Sequence, residues 1–260
     1  MGQRLDNATN LYLEAIRDGD YEQAINTYAG QRYTQHSTPV KDGTAGFIEF
    51  FTDFVERNPI RDIEILRGFE DGPYVFLHVL QTLNNGEFRY VTADIFDTDE
   101  DGKLIEHWDI IAEVTANTTS DHTQIDGPTA PNDLDKTAQN KSHVRSYLTE
   151  VLGEGRYDMI DDYISQETYV EHSVGAEDGI DNVTTRLRGL AAAGVPLVYS
   201  HVHRLVGSGS FVAALSEASR GETGVAVIDL YRVEDGLIVE HWDVSEEITP
   251  RDTWVNTGKF

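Results

Sequence analysis

Two tetrapeptides, Glu106-His107-Trp108-Asp109 and Glu240-His241-Trp242-Asp243, mark this chain as one unit written twice. Each follows a short Asp-Gly turn, Asp101-Gly102 in the first half and Asp235-Gly236 in the second. Upstream, Tyr33-Thr34-Gln35-His36-Ser37 is echoed by Tyr169-Val170-Glu171-His172-Ser173, Asp42-Gly43 by Asp178-Gly179, and Asp94 by Asp229. The offsets from His36, Glu106, Asp42 and Asp94 to their counterparts are 136, 134, 136 and 135 residues. A period of that length is domain-sized, far above the roughly 20–50 residues of solenoid repeats. The chain is therefore expected to hold two copies of one domain, at 1–116 and 141–250, with a linker over 117–140 and a tail over 251–260.

The periodicity within each copy gives its class. Apolar residues at helical spacing (Leu11, Ala15, then Ala24, Ile25 and Tyr28) predict two helices broken at Asp18-Gly19-Asp20. The second copy matches with Val144, Tyr147, Leu148 and Val151, then Met159, Ile160 and Tyr163. A third helix follows each His segment, around 46–54 and 181–192. Strand-like runs come after it, over 63–66, 74–80, 88–96 and 104–114 in the first copy, separated by Gly- and Asn-rich turns. Three helices followed by an antiparallel sheet make each half α+β. The segment 115–141, rich in Thr, Asn, Asp, Pro and Gly, reads as a surface linker, and 249–260 as an exposed tail.

Composition narrows the function classes. With 46 acidic against 20 basic residues the net charge is −26, a field that repels nucleic acid and anionic membrane. Only five of the basic residues are lysine, and the acids are spread through both halves. A dispersed acidic, lysine-poor surface suits a halophilic protein, because concentrated salt screens the self-repulsion. No cysteine is present, so disulfides and thiolate metal sites are excluded. The opening Met1–Asp6 lacks the apolar run of a secretion signal, and a cytoplasmic location is expected.

The Tyr-x-x-His segment before the third helix and the Asp-Gly-x-Ile-x-Glu-His-Trp-Asp strand resemble the SnoaL-like polyketide cyclases, and more narrowly the SnoaL-like proteins predicted to catalyse aldol condensations. These belong to the nuclear-transport-factor-2-like (NTF2-like) superfamily. The resemblance spans both copies and implies two tandem cone-shaped barrels, each with three helices on a strongly bent antiparallel sheet, paired as an intramolecular pseudo-dimer that further homo-oligomerisation could extend. It also implies cofactor-independent Asp/His acid–base chemistry on a small hydrophobic carbonyl compound, as a lyase, isomerase or cyclase. A non-catalytic small-molecule-binding module on the same fold is the alternative.

Strand alternation places candidate residues together. His107 and Asp109 share one face of the last strand, and Glu106, Trp108 and Ile110 the other. Asp94 sits between Ala93 and Ile95 on the preceding strand, where burial would raise its pKa into the range of a usable base. A neighbouring His can relay a proton or donate to an enolate oxygen. The resemblance carries this chemistry onto Asp94, His107, Asp109 and His36, and in the second copy onto Asp229, His241, Asp243 and His172. Tyr33, Tyr169, Trp108, His78 and the row Phe47, Phe50, Phe51 and Phe54 are candidate ligand contacts. Helix 3 of the second copy has small and basic residues in place of that aromatic row, so the first copy is the expected site of turnover. His201 and His203 could ligate a metal, although a lone strand pair more often serves the surface or core. No cofactor and no metal site is expected.

Overall fold

The computed structural model describes residues 2–116 and 119–260. They form two compact units, one of Met1–Val114 with Thr249–Phe260, the other of Thr115–Ile248. In the first, helix α1 (Gln3–Asn10) passes into a wider π-helical stretch over Leu11–Asp18 and stops at Gly19, whose φ of 86° is a left-handed value that glycine adopts without penalty. Helix α2 (Tyr21–Tyr28), strand β1 (Ala29–Gln35) and helix α3 (Gly43–Arg57) follow. Strands β2 (Arg61–Asp71), β3 (Tyr74–Leu83), β4 (Phe88–Thr98) and β5 (Leu104–Glu113) complete the unit.

The second unit repeats this order. Helix α4 (Thr137–Ser146) runs on as a π-helical stretch over Tyr147–Gly153, and a 3₁₀ turn over Tyr157–Asp162 stands in place of α2. Then come β6 (Val170–Glu171), α5 (Ile180–Ala192), β7 (Leu197–Ser208), β8 (Phe211–Arg220), β9 (Thr223–Glu234) and β10 (Leu237–Glu247). The hairpin between β9 and β10 turns through Asp235 and Gly236 with φ of 49° and 82°, the paired positive values that the Asp-Gly sequence favours.

Each sheet has five strands, ordered β1-β5-β4-β3-β2 and β6-β10-β9-β8-β7, and neither closes into a barrel. The α+β class stands, but the sheets are mixed. The segments leading into His36 and His172 form edge strands, parallel to β5 and β10 respectively. Alternating Tyr33 and Gln35 explain β1: both side chains are buried, and Arg32 and Thr34 are more exposed. The core of the first unit packs Leu11, Ile16, Ile25 and Phe47 against Val75, Leu77, Val79 and Phe96. The second packs Val144, Leu148, Val151 and Leu187 against Val212, Ala214, Val227 and Tyr231.

The linker and tail differ from expectation. Neither is a free strand of chain, because both find backbone and side-chain partners. Val255 N–H donates to Thr38 O at 3.1 Å, Asn256 Nδ2 donates to Ser37 O and Val40 O at 2.7 and 2.9 Å, and Gly258 and Lys259 are buried in the first unit. In the second unit Trp242 Nε1 donates to Asp126 O at 3.0 Å and Gln124 is buried.

Candidate active site

In the first unit a cavity of about 90 Å³ opens between α3 and the sheet. Phe47, Phe50, Phe51 and Phe54 wall one side, spaced so that α3 turns them together toward β1 and β5. Tyr33, Gln35, His107 and Asp109 supply its polar wall. Parallel pairing of Gln35 with His107 sets these four on one face, as the alternation on β5 predicts.

Asp94 is fully buried and does not reach this wall. Its Oδ1 accepts from Tyr12 Oη at 2.6 Å and from His107 Nε2 at 2.9 Å, and its Oδ2 accepts from Thr92 Oγ1 at 2.7 Å. Burial pushes its carboxyl up, against the opposing pull of His107. His107 stands between Asp94 and the cavity, its ring stacked on Phe96 at 4.2 Å. Gln35 fixes the imidazole's tautomer. The backbone N–H groups of His36 and Ser37 both donate to Gln35 Oε1 at 2.9 Å, so the Gln35 nitrogen is the atom facing His107 Nδ1 at 3.1 Å. Nδ1 accepts, and the ring proton lies on Nε2 toward Asp94.

Among the described residues, two polar atoms on this wall have no hydrogen-bond partner, Tyr33 Oη and Asp109 Oδ1, and both are buried. Burial, then Asp109 and Asp94, push the Tyr33 phenol well above its ordinary value, so it stays a neutral donor. The buried Lys259 of the tail brings Nζ to 3.6 Å from Asp109 Oδ1, supplying a countercharge beyond hydrogen-bond reach.

The second unit builds the same frame with one substitution that alters its electrostatics. Glu171 stands where Gln35 does. Its Oε1 faces His241 Nδ1 at 2.9 Å, and its Oε2 accepts from Tyr169 Oη at 2.8 Å. His241 Nε2 faces Asp229 Oδ1 at 2.9 Å. With carboxylates on both nitrogens the imidazole is held as the cation, well above its ordinary value despite burial. Glu171 is drawn down to about 2 against its burial, chiefly by the charge of His241. Asp229, pushed up by burial, also accepts from Tyr199 Oη at 3.0 Å, but its Oδ2 is unpartnered because Val227 occupies the place of Thr92. The cavity beside this frame is larger, about 290 Å³, and Val183, Arg186 and Leu187 take the places of Phe47, Phe50 and Phe51.

Of the residues expected from sequence, Tyr33, the four phenylalanines, His107 and Asp109 meet at the first cavity, and Tyr169 and His241 at the second. Asp94 and Asp229 lie one layer behind, each bonded to the imidazole. Asp243 is half-buried and off the second wall. His36 and His172 do not join the cavities. His36 stacks on Trp108 at 4.8 Å, with Nε2 at 2.9 Å from Glu106 Oε1 and Nδ1 bonded to Gly258 O. His172 stacks on Trp242 at 4.4 Å, bonded to Glu240 and Thr123 O. These partners lie on the strand face opposite His107 and His241, and Trp108 is buried there rather than on the cavity wall. His78 pairs with Ala93, so it points away from Asp94, and its Nδ1 lies 3.0 Å from Arg67 Nη1. Sequence reading did not single out Gln35, Glu171, Tyr12 or Lys259. The Gln/Glu pair was visible inside the repeated segments, whereas nothing in the tail signalled Lys259.

Among the described residues, two groups bring three His or Asp ligand atoms within 4.8 Å of one another, Asp94/His107/Asp109 and His122/Asp126/His172. In the first, both His107 nitrogens and both Asp94 oxygens are already engaged within the protein. His201 and His203 meet edge to face at 4.5 Å and Glu217 Oε2 lies 3.6 Å from His203 Nε2, but among the described residues these three do not bring their ligand atoms within 4.8 Å of one another.

The SnoaL-like domain profile matches residues 10–107 and again 144–241. The chain therefore belongs to the SnoaL-like domain family, as two domains in tandem. No curated protein matches it significantly. Solved structures similar to parts of it include a provisionally assigned ketosteroid isomerase from Kribbella flavida, 16% identical over 44% of this chain and 83% of that one, with a TM-score of 0.38. A provisionally assigned polyketide cyclase from Bacillus cereus is 21% identical over 42% and 73%, with a TM-score of 0.37. An epoxide hydrolase of LEH-like type from M. tuberculosis is 22% identical over 43% and 85%, also at 0.37. At this level none of the three assigns an activity to the chain. No helix among the described residues is long and apolar enough to cross a membrane.

Proposed function

We propose that the first unit is a cofactor-independent acid–base enzyme that forms an enolate from a small apolar carbonyl compound. The observation that carries this reading is the pair of buried atoms without a hydrogen-bond partner among the described residues, Tyr33 Oη and Asp109 Oδ1, on a largely apolar wall. A buried polar group left unpaired costs about 1–3 kcal/mol, and a ligand carrying a carbonyl oxygen and an acidic C–H satisfies both. Asp109 takes the proton next to the carbonyl. Tyr33 O–H donates to the oxygen as negative charge develops on it. The enolate then either attacks a second carbonyl, as in aldol condensation or cyclisation, or is reprotonated elsewhere, as in isomerisation. His107, with both nitrogens occupied, is a positioning residue that Asp94 and Gln35 hold rigid beside Asp109. The base is thus Asp109 rather than Asp94, whose two oxygens already accept from three donors and which lies off the cavity wall.

In the second unit Tyr169 is engaged by Glu171 and Asp243 is off the wall, an arrangement that favours binding over turnover there.

The test follows the first step alone. Acetone, cyclopentanone and acetophenone are incubated with the full chain in D₂O, and exchange at the α-carbon is followed by proton NMR. Wild type should exchange at least one probe faster than buffer. Asp109→Asn should stop this, and Tyr33→Phe should slow it about 100-fold, the usual effect of losing one oxyanion donor. Exchange undiminished in Asp109→Asn, or wild-type exchange at the buffer rate for every probe, overturns the reading.

A further inference from the structure

We propose that His122, Asp126 and His172 of the second unit form a binding site for a divalent transition-metal ion of the zinc class. The site lies on the side of the sheet away from the cavities, where the segment after β5 packs on the second unit. His172 Nδ1 is 2.9 Å from Asp126 Oδ1 and 2.7 Å from the carbonyl oxygen of Thr123. His122 Nδ1 is 3.9 Å from Asp126 Oδ2. Ligands bound at about 2.1 Å in a tetrahedron stand about 3.4 Å apart, and the two His–Asp separations bracket that edge. Two imidazoles, a carboxylate and a nearby carbonyl are a donor set that suits zinc, cobalt or nickel better than magnesium or calcium.

The outer contacts point the same way. Metal-bound histidines characteristically donate their far N–H to a carboxylate. His172 Nε2 lies 2.9 Å from Glu240 Oε1, and Glu240 is itself held by Arg232 Nε at 2.6 Å. His122 Nε2 lies 3.3 Å from Asp178 Oδ2. Each imidazole thus presents its Nδ1 side to Asp126 while a carboxylate steadies the opposite nitrogen. The first unit repeats the stacked histidine, as His36 on Trp108 with Glu106 behind it, and Gly258 O takes the place of Thr123 O. By that register Thr257 stands where His122 does. The buried histidine is therefore common architecture, and among the described residues it is the second unit that surrounds it with further ligands.

The experiment titrates the full chain with Zn²⁺ alone by calorimetry, and with Co²⁺ followed by its visible absorption, in the presence of excess Mg²⁺ to occupy the acidic surface. Wild type should take up one ion per chain and gain thermal stability with zinc. His122→Ala and Asp126→Asn change partly exposed side chains, and their metal-free thermal midpoints should match that of wild type. Both should bind about 100-fold more weakly or worse, beyond the roughly tenfold minimum typical of losing a supporting contact, and should lose the zinc-dependent stabilisation. Absence of stoichiometric Zn²⁺ and Co²⁺ binding by wild type, or binding unaltered in His122→Ala, overturns the proposal. Neither result bears on the cavity chemistry, which α-proton exchange reads separately.

Discussion

Replacing Glu171 with Gln should convert the electrostatics of the second unit into those of the first. In wild type the Glu171 carboxyl falls from 4.5 to about 2, and His241 rises well above its ordinary value. A drop of that size corresponds to about 3 kcal/mol of preference for the ionised form, at about 1.4 kcal/mol per unit. Glu171 is depressed on folding, so its contribution to stability is present above the unfolded value near 4.5 and is lost as pH falls toward 2. His241 is raised on folding, so its contribution is present below its unfolded value and is lost only as pH climbs through the higher folded one. Glu171→Gln should remove the acid window. With its side-chain nitrogen turned to His241 Nδ1, as Gln35's is to His107, and its oxygen taking the Ser173 donors that now reach Glu171 Oε1, the imidazole should lose its Nδ1 proton. The assay is long-range ¹H–¹⁵N correlation of the imidazole rings at neutral pH, together with acid unfolding. Wild-type His241 should show two protonated nitrogens, and the variant one, matching His107. A neutral His241 in wild type, or an unchanged spectrum and acid transition in the variant, would refute the reasoning.

Other consequences are open to measurement. Thr92→Val removes a buried donor to Asp94 and should destabilise the first unit by about 1–3 kcal/mol, whereas Val227→Thr should leave the second unit at least as stable by giving Asp229 Oδ2 its missing donor; denaturant midpoints decide both. Asn256→Ala leaves the carbonyls of Ser37 and Val40 without their tail donor and should cost about 1–2 kcal/mol, read as a lower thermal midpoint for the first unit. At a net charge of −26, thermal midpoints should rise from dilute buffer to molar potassium chloride, and a flat or falling series would remove the case for adaptation to salt.

Much of the frame could be read directly from the chain. The duplication announced two domains, and strand alternation put His107 with Asp109 and apart from Trp108. The aromatic row on helix 3 announced an apolar wall, because helical spacing alone gathers Phe47, Phe50, Phe51 and Phe54. What did not follow from local pattern was the depth of each group. Asp94 and Asp109 pair across β4 and β5, and both face the helices, so alternation cannot rank them. Only packing shows that Tyr12, Thr92 and His107 enclose the first while the second stays on the wall. His36 was misplaced for a related reason. It lies just past the end of an edge strand whose register breaks between Ala29 and Thr34, so its side-chain direction could not be counted from alternation. The tail's part, Lys259 against Asp109, depends on a contact 150 residues apart in sequence, 259 against 109, and lies beyond any periodicity.

One residue pair explains why the duplicated cavities diverged. Gln and Glu are nearly the same shape, and both brace the same histidine. The Gln35 nitrogen must donate to His107 Nδ1, because the Gln35 oxygen is committed to two backbone N–H groups; no acceptor is then left for Tyr33, whose hydroxyl faces the cavity unpartnered. Glu171 has two acceptor oxygens, so one takes His241 and the other takes Tyr169. The first arrangement leaves a donor available to a ligand beside a histidine locked in one tautomer. The second consumes that donor and fixes a cation between two carboxylates. A single amide-for-carboxylate exchange therefore sets the imidazole charge and the tyrosine's availability together, so reactivity cannot be moved between the two units by exchanging the cavity-wall phenylalanines alone. Grafting Phe47, Phe50 and Phe51 onto the second unit should shrink its cavity without conferring α-proton exchange, and exchange gained from that graft alone would contradict the assignment of Tyr33 as the donor.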